Sequence, residues 1–158
     1  MTIPLILASV PAWGLKTHCA ADEPVLFACV TGKKAVAVCA SGNRSPTAGA
    51  LQYRFGSPDA PELVWPNLPQ PQHVGITAGT LAFSGGGGAY LRFTKDAYAY
   101  VVYTAIGKGW GEKARVVVEK NGKSIAHLPC TEAVVSELGP ALFEQAGLAE
   151  DEQGFDLP

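Results

Sequence analysis

Four consecutive glycines, Gly85 to Gly88, stand between Ser84 and Ala89-Tyr90. An apolar run from Ile76 to Phe83 precedes them, and an alternating run, Tyr90-Leu-Arg-Phe-Thr94, follows. Both flanks read as β-strands. Glycine is least costly where the backbone needs positive φ or where another chain comes close, and each one inside a strand costs roughly 0.5–1 kcal/mol relative to alanine. The segment is therefore a hairpin loop or bulge, or an exposed loop that presents Ser84 and bare backbone to a partner. Nucleotide-binding readings fail on context, because a dinucleotide or P-loop glycine run opens a helix and this one opens a strand. No Gly-x-Ser-x-Gly elbow surrounds Ser84.

The rest of the chain is built from similar short β-type runs. Leu26 to Val30 and Ala35 to Cys39 flank a tight turn at Thr31-Gly-Lys-Lys34. With Gly32 and Lys33 as the turn residues, Cys29 lies opposite Val36 and Phe27 opposite Val38, and Cys39 points to the other face of the pleat from Cys29. Ala50 to Phe55 alternates, Glu62 to Trp65 is stopped by Pro66, and residues 67–73 carry Pro69 and Pro71 as an extended loop. Ala97 to Thr104, rich in Tyr and Val, is the strongest strand signal. Gly107-Lys-Gly-Trp-Gly111 is a second glycine-rich loop, and Asn121-Gly122 joins Arg115–Lys120 to Ser124–Leu128 as a hairpin. About eight or nine strands in meander order predict an all-β fold, an antiparallel barrel or sandwich over residues 25–130. Beyond Cys130, the stretches Ala133–Leu138 and Pro140–Ala146 read as one kinked helix or two short ones, in a C-terminal extension over residues 131–147. Pro140 would start that helix and Gly147 would cap it, with Leu138, Leu142 and Phe143 packed on the β domain. Residues 148–158 read as a frayed acidic tail.

A chain of 158 residues is one domain, and its 16% charged content with 18 Gly and 12 Pro suits a turn-rich β protein. The net charge of −2 argues against nucleic acid as partner, and no apolar stretch reaches the length of a membrane span. Residues 1–21 read as a signal peptide, with an apolar stretch from Ile3 to Trp13 and small residues before a cut after Ala21; residues 22–158 would be the mature domain. That places the protein in the periplasm or outside the cell, where Cys29, Cys39 and Cys130 would yield one bridge and one spare thiol. Cys29–Cys130 and Cys39–Cys130 both fit the expected strand faces better than Cys29–Cys39. Asn43-Arg44-Ser45 has the form of a glycosylation sequon, disfavoured by Pro46.

Little here points to catalysis. His73 and His127 have no carboxylate or histidine at ligand spacing, there is no Cys-x-x-Cys, and no metal or cofactor is expected. A serine triad could be assembled only by joining Ser84 to His73 and Asp96, with no spacing to support it. Tyr90, Tyr98, Tyr100 and Tyr103 alternate along strands as core or cross-strand pairs do.

The order of elements resembles a known family. Phe27-Ala-Cys29 is followed by Val36-Ala-Val38, then by a Ser-Gly-x-Gly-Ala-x-Tyr-like loop at Ser84–Tyr90 with one extra glycine, then by Lys108-Gly109, Glu112 to Val116 and a hairpin ending in Cys130. Over residues 26–130 this resembles the periplasmic and membrane-anchored bacterial inhibitors of c-type lysozyme. It is also similar to small exported bacterial proteins that share the Phe-x-Cys, Tyr-Arg-Phe-Gly and Asn-Gly-Lys pattern. The chain differs in having Ala105-Ile106-Gly107 where the family has Phe-Trp, and in its Cys39, its proline loop and its C-terminal extension. The resemblance implies a small antiparallel barrel with Cys29 paired to Cys130 and Cys39 left free and buried. It implies a protein partner, a wall-degrading enzyme whose cleft receives the loop Ser84-Gly85-Gly86-Gly87-Gly88-Ala89-Tyr90. Lys108, or Lys113 in its place, would supply the charge. The oligomeric state is not implied.

Overall fold

The computed structural model describes residues 17–41, 50–67 and 73–158. The stretch Ile3–Trp13, the sequon at Asn43 and the part of the proline loop at residues 68–72 lie outside the described residues.

The strands are β1 (Val25–Thr31), β2 (Lys34–Ala40), β3 (Leu51–Ser57), β4 (Ala60–Trp65), β5 (Ile76–Phe83), β6 (Gly86–Lys95), β7 (Tyr98–Gly107), β8 (Gly111–Lys120), β9 (Lys123–Pro129), β10 (Val135–Ser136) and β11 (Ala149–Glu150); the helix α1 is Pro140–Ala146. They form two sheets, one in the order β10-β1-β2-β3-β4 and one in the order β11-β5-β6-β7-β8-β9. The architecture is a sandwich of two sheets and not a closed barrel. Pairing is antiparallel except that β11 runs parallel to β5.

Alternation decides which side chains meet. In the second sheet Leu91, Phe93, Val102 and Val116 face inward, against Phe27, Val36, Val38 and Tyr53 of the first. Tyr53 stacks on Tyr100 with ring centroids 5.1 Å apart, one of the contacts that fix the two sheets face to face. Turn chemistry sets the register: Asn121 and Gly122 both take left-handed φ, 52° and 79°, as a two-residue type I′ hairpin requires. At the first hairpin Cys29 is opposite Val36 and Phe27 opposite Val38, as the turn at Gly32-Lys33 dictates.

The Cys29–Cys130 bridge is present and ties β1 of one sheet to the residue after β9 of the other. The expectation of a free Cys39 is overturned, because Cys39 is bridged to Cys19. Cys39 points away from the sandwich interior, as its register demands, and meets Cys19, Val25 and Val135 on the outer face. Residues 17–24 are thus part of the packing: Arg54 donates to both Glu23 carboxylate oxygens and to the His18 carbonyl. Cleavage after Ala21 would remove Cys19 and His18 together.

Of the two helical stretches expected after Cys130, the second forms. Pro140 opens it, and Gly147 closes it at φ 65° in a Schellman arrangement, with its N–H on Glu144 and that of Leu148 on Phe143. Leu142 and Phe143 enter the core. The first stretch instead gives β10, in which Val135 and Ser136 pair with the edge of β1. The acidic tail is not frayed: Ala149 and Glu150 add to β5, and Phe155 and Leu157 pack on the outer face of the second sheet.

Candidate functional site

The glycines divide between a turn and a strand. Only Ser84 and Gly85 lie outside β5 and β6, and both are exposed. Gly86, Gly87 and Gly88 pair with Phe83, Ala82 and Leu81 on one side and with Gly107, Ile106 and Ala105 on the other. Close approach explains them. A Cβ on Gly86 would strike the Ile106 carbonyl and the Phe83 ring, and one on Gly88 would strike the Thr104 carbonyl. The same rule holds where the Tyr90 ring covers Gly79 and the Trp110 indole covers Gly107. Rings lie flat over glycines along one face of the sheet, filling the space that the missing side chains leave.

Two turns meet at this end. The Lys108 N–H donates to the Gly85 carbonyl at 2.9 Å, and a Cβ on Gly85 would sit 3.0 Å from the Lys108 Cβ. Gly85 has φ 80°, so this close turn suits glycine. The turns that carry Ser84 and Lys108, residues expected from sequence to act together, are therefore joined through Gly85. Beside them Trp110, 38% exposed, packs on Phe83 with centroids 5.8 Å apart. The Lys113 ammonium sits 4.6 Å from the centre of the Trp110 ring, in cation–π contact with the indole.

On the inner side of the same end lies a groove of about 730 Å³, within the range of ligand-sized sites. Its floor is Gly87, Gly88, Ala89 and Ala105, and its far wall runs from Cys130 to Pro140. Glu112, Lys113 and Glu132 stand at its margin, with the exposed Ile106 and Val134 between them. Gly87, Gly88 and Ala89 thus line a concave surface. Tyr90 belongs to neither turn nor groove; it points to the opposite face and donates to Asp151 at 2.7 Å.

Ser84, His73 and Asp96 are not brought together. Ser84 precedes β6, while Asp96 follows it and His73 adjoins the same far end through Gly75 and Thr94. The ten residues of β6 hold these ends about 30 Å apart. His127 is on the edge strand β9, exposed and opposite Val117. No group of three or more metal-ligating side chains occurs among the described residues, and no helix among them is long and apolar enough to cross a membrane.

One buried polar cluster went unread in the sequence. Arg92 is 2% exposed and lies between Glu119 and Asp151, with its terminal nitrogen also donating to the Gly154 carbonyl. Burial raises the Asp151 carboxyl, but hydrogen bonds from Tyr90, Arg92 and Thr77 and the Arg92 charge outweigh it and hold the group below its ordinary value. Strand alternation gave no signal for it: with Leu91 and Phe93 inward, Arg92 falls on the outer face, and it is the C-terminal segment that buries it there. No family model, no curated protein and no solved structure matches the chain.

Proposed function

We propose that this is an exported binding protein without catalytic activity of its own, whose target is a lysozyme-like wall-degrading enzyme. Its contact surface is the pair of turns at Ser84-Gly85 and Lys108-Gly109. The observation that carries the reading is the backbone hydrogen bond from Lys108 to Gly85, which joins the two turns that carry the exposed Ser84 and the exposed Lys108. Glycosidase clefts carry a protonated carboxylic acid and an ionised carboxylate. A blocking protein needs a slim backbone to enter, a hydroxyl to hydrogen-bond and a cation to pair with the carboxylate. The turn at Gly85 supplies the first, Ser84 the second and Lys108 the third. In a partly dry cleft such a charge contact is worth more than on an open surface.

The two bridges support an oxidising compartment, hence export. The separation of Ser84 from His73 and Asp96 weighs against a serine hydrolase. A binding and inhibition panel of lysozymes and other muramidases tests the proposal, with a serine-hydrolase probe run in parallel. The expected result is a saturable complex with at least one muramidase that lowers its activity, and no labelling of Ser84. Labelling of Ser84, or no complex with any muramidase, would overturn it.

A further inference from the structure

The outer face of the second sheet is covered by the C-terminal segment of the chain. Val101, Tyr103 and Val117 are fully buried there, under Phe155 and Leu157. Phe155 sits between two rings, 5.3 Å from Tyr90 and 5.4 Å from Tyr103. Only Ala149 and Glu150 make a strand ladder, parallel to β5. Beyond them the segment is held at points: the Asp151 N–H on the Ala78 carbonyl at 2.8 Å, the Asp151 carboxylate on Thr77, Tyr90 and Arg92, and the Gly154 carbonyl on Arg92 at 3.1 Å. Domains that capture extended peptides on a sheet edge combine main-chain pairing with pockets for side chains; here the pairing is short, and the pockets are a buried cation for one carboxylate and an aromatic slot four residues further on. Burying an arginine against a sheet is costly unless carboxylates meet it. Glu119 meets it from within the sheet, and the second carboxylate arrives with the segment.

We propose that this face is a peptide-binding site, occupied here in cis by residues 149–157, which also takes a segment of a partner protein with the same chemistry. Such a segment carries a carboxylate four residues before an aromatic ring and runs parallel to β5. The proposal is independent of the paired turns, which lie at the tip of the sheet. The cis segment acts as a competitor at high effective concentration, typically millimolar for a short tether, so the site opens only when that segment is weakened or displaced.

The test uses the full chain and a fluorescent synthetic peptide of residues 148–157. The variant Asp151→Ala/Phe155→Ala weakens the cis segment and leaves the groove intact. It should bind the peptide with a Kd at least about tenfold lower than the parent does, because the intramolecular competitor is weakened. A peptide carrying the same two alanines should bind at least about tenfold more weakly than the native peptide. Should the double variant not fold, full-length Phe155→Ala, which keeps the Arg92 clamp, takes its place with the same expectation. Equal binding by parent and folded variant, no binding by either, or no preference for the native peptide would overturn the proposal.

Discussion

Arg92 and Asp151 show how one pair of residues can order a segment that composition alone marks as solvated. Removing Asp151 leaves the buried Arg92 with Glu119 as its one carboxylate, and breaking a buried ion pair typically costs up to about 3–5 kcal/mol. Asp151→Ala should therefore lower the melting temperature markedly and release residues 149–157, read as new proteolysis in the tail. Acid should act in two steps. Burial pushes the His73 imidazole below its ordinary 6.5, the Ala146 backbone pulling weakly the other way. The unfolded chain then binds the proton more readily, so this share of stability is full above about pH 6.5 and falls as pH drops through the lowered folded value. Asp151 and Glu23 have depressed values, so their shares persist to about pH 4 and are lost below it. Melts of His73→Gln across pH should lack the first decline and keep the second. A parent melting temperature that stays flat from pH 7 to pH 5 would contradict the assignment to His73.

At the scale of elements, strands and turns were legible because their signals are local. Asn121-Gly122, Gly32 and the Tyr/Val run of β7 each carry their structure within a few residues, and all three form as read. The glycine run was harder. Its composition says loop, yet Gly86 to Gly88 are paired on both sides as strand, and they are glycine because the Ile106, Leu81 and Thr104 carbonyls and the Phe83 ring crowd the space that side chains would occupy. That crowding comes from partners up to twenty residues away and leaves no mark at the glycines themselves. Gly86→Ala should thus destabilise the fold by about 1–3 kcal/mol through overpacking, measured by urea unfolding, whereas Ser84→Ala should leave it within about 0.5 kcal/mol, as exposed positions do. The tail failed to read for the same reason as the glycines. Its ordering depends on Arg92 and Tyr90, which lie about sixty residues earlier.

For the whole molecule, the two bridges do different things. Cys29–Cys130 closes a span of 101 residues between the sheets, and Cys19–Cys39 one of 20 on an outer face. In the chain-entropy account these are worth about 4–5 and 3 kcal/mol. Cys29→Ala/Cys130→Ala should accordingly lower stability more than Cys19→Ala/Cys39→Ala, as read by denaturant midpoints under oxidising conditions. The first pairing followed from a resemblance and the second was missed, because reading residues 1–21 as a removable leader took Cys19 out of consideration. Of the residues singled out from sequence, the turn after Ser84 is hydrogen-bonded through Gly85 to Lys108, Gly87 to Ala89 lie along a groove floor, and Tyr90 turns away. The most direct test of the paired-turn reading is a titration of the muramidases with the parent, Ser84→Ala, Lys108→Ala and, as a control at the far end of the sheet, Lys123→Ala. Each turn variant should bind about thirtyfold more weakly, the effect of losing a contact worth about 2 kcal/mol, while Lys123→Ala binds as the parent does. Undiminished binding by both turn variants, or no complex of the parent with any of these enzymes, would contradict it.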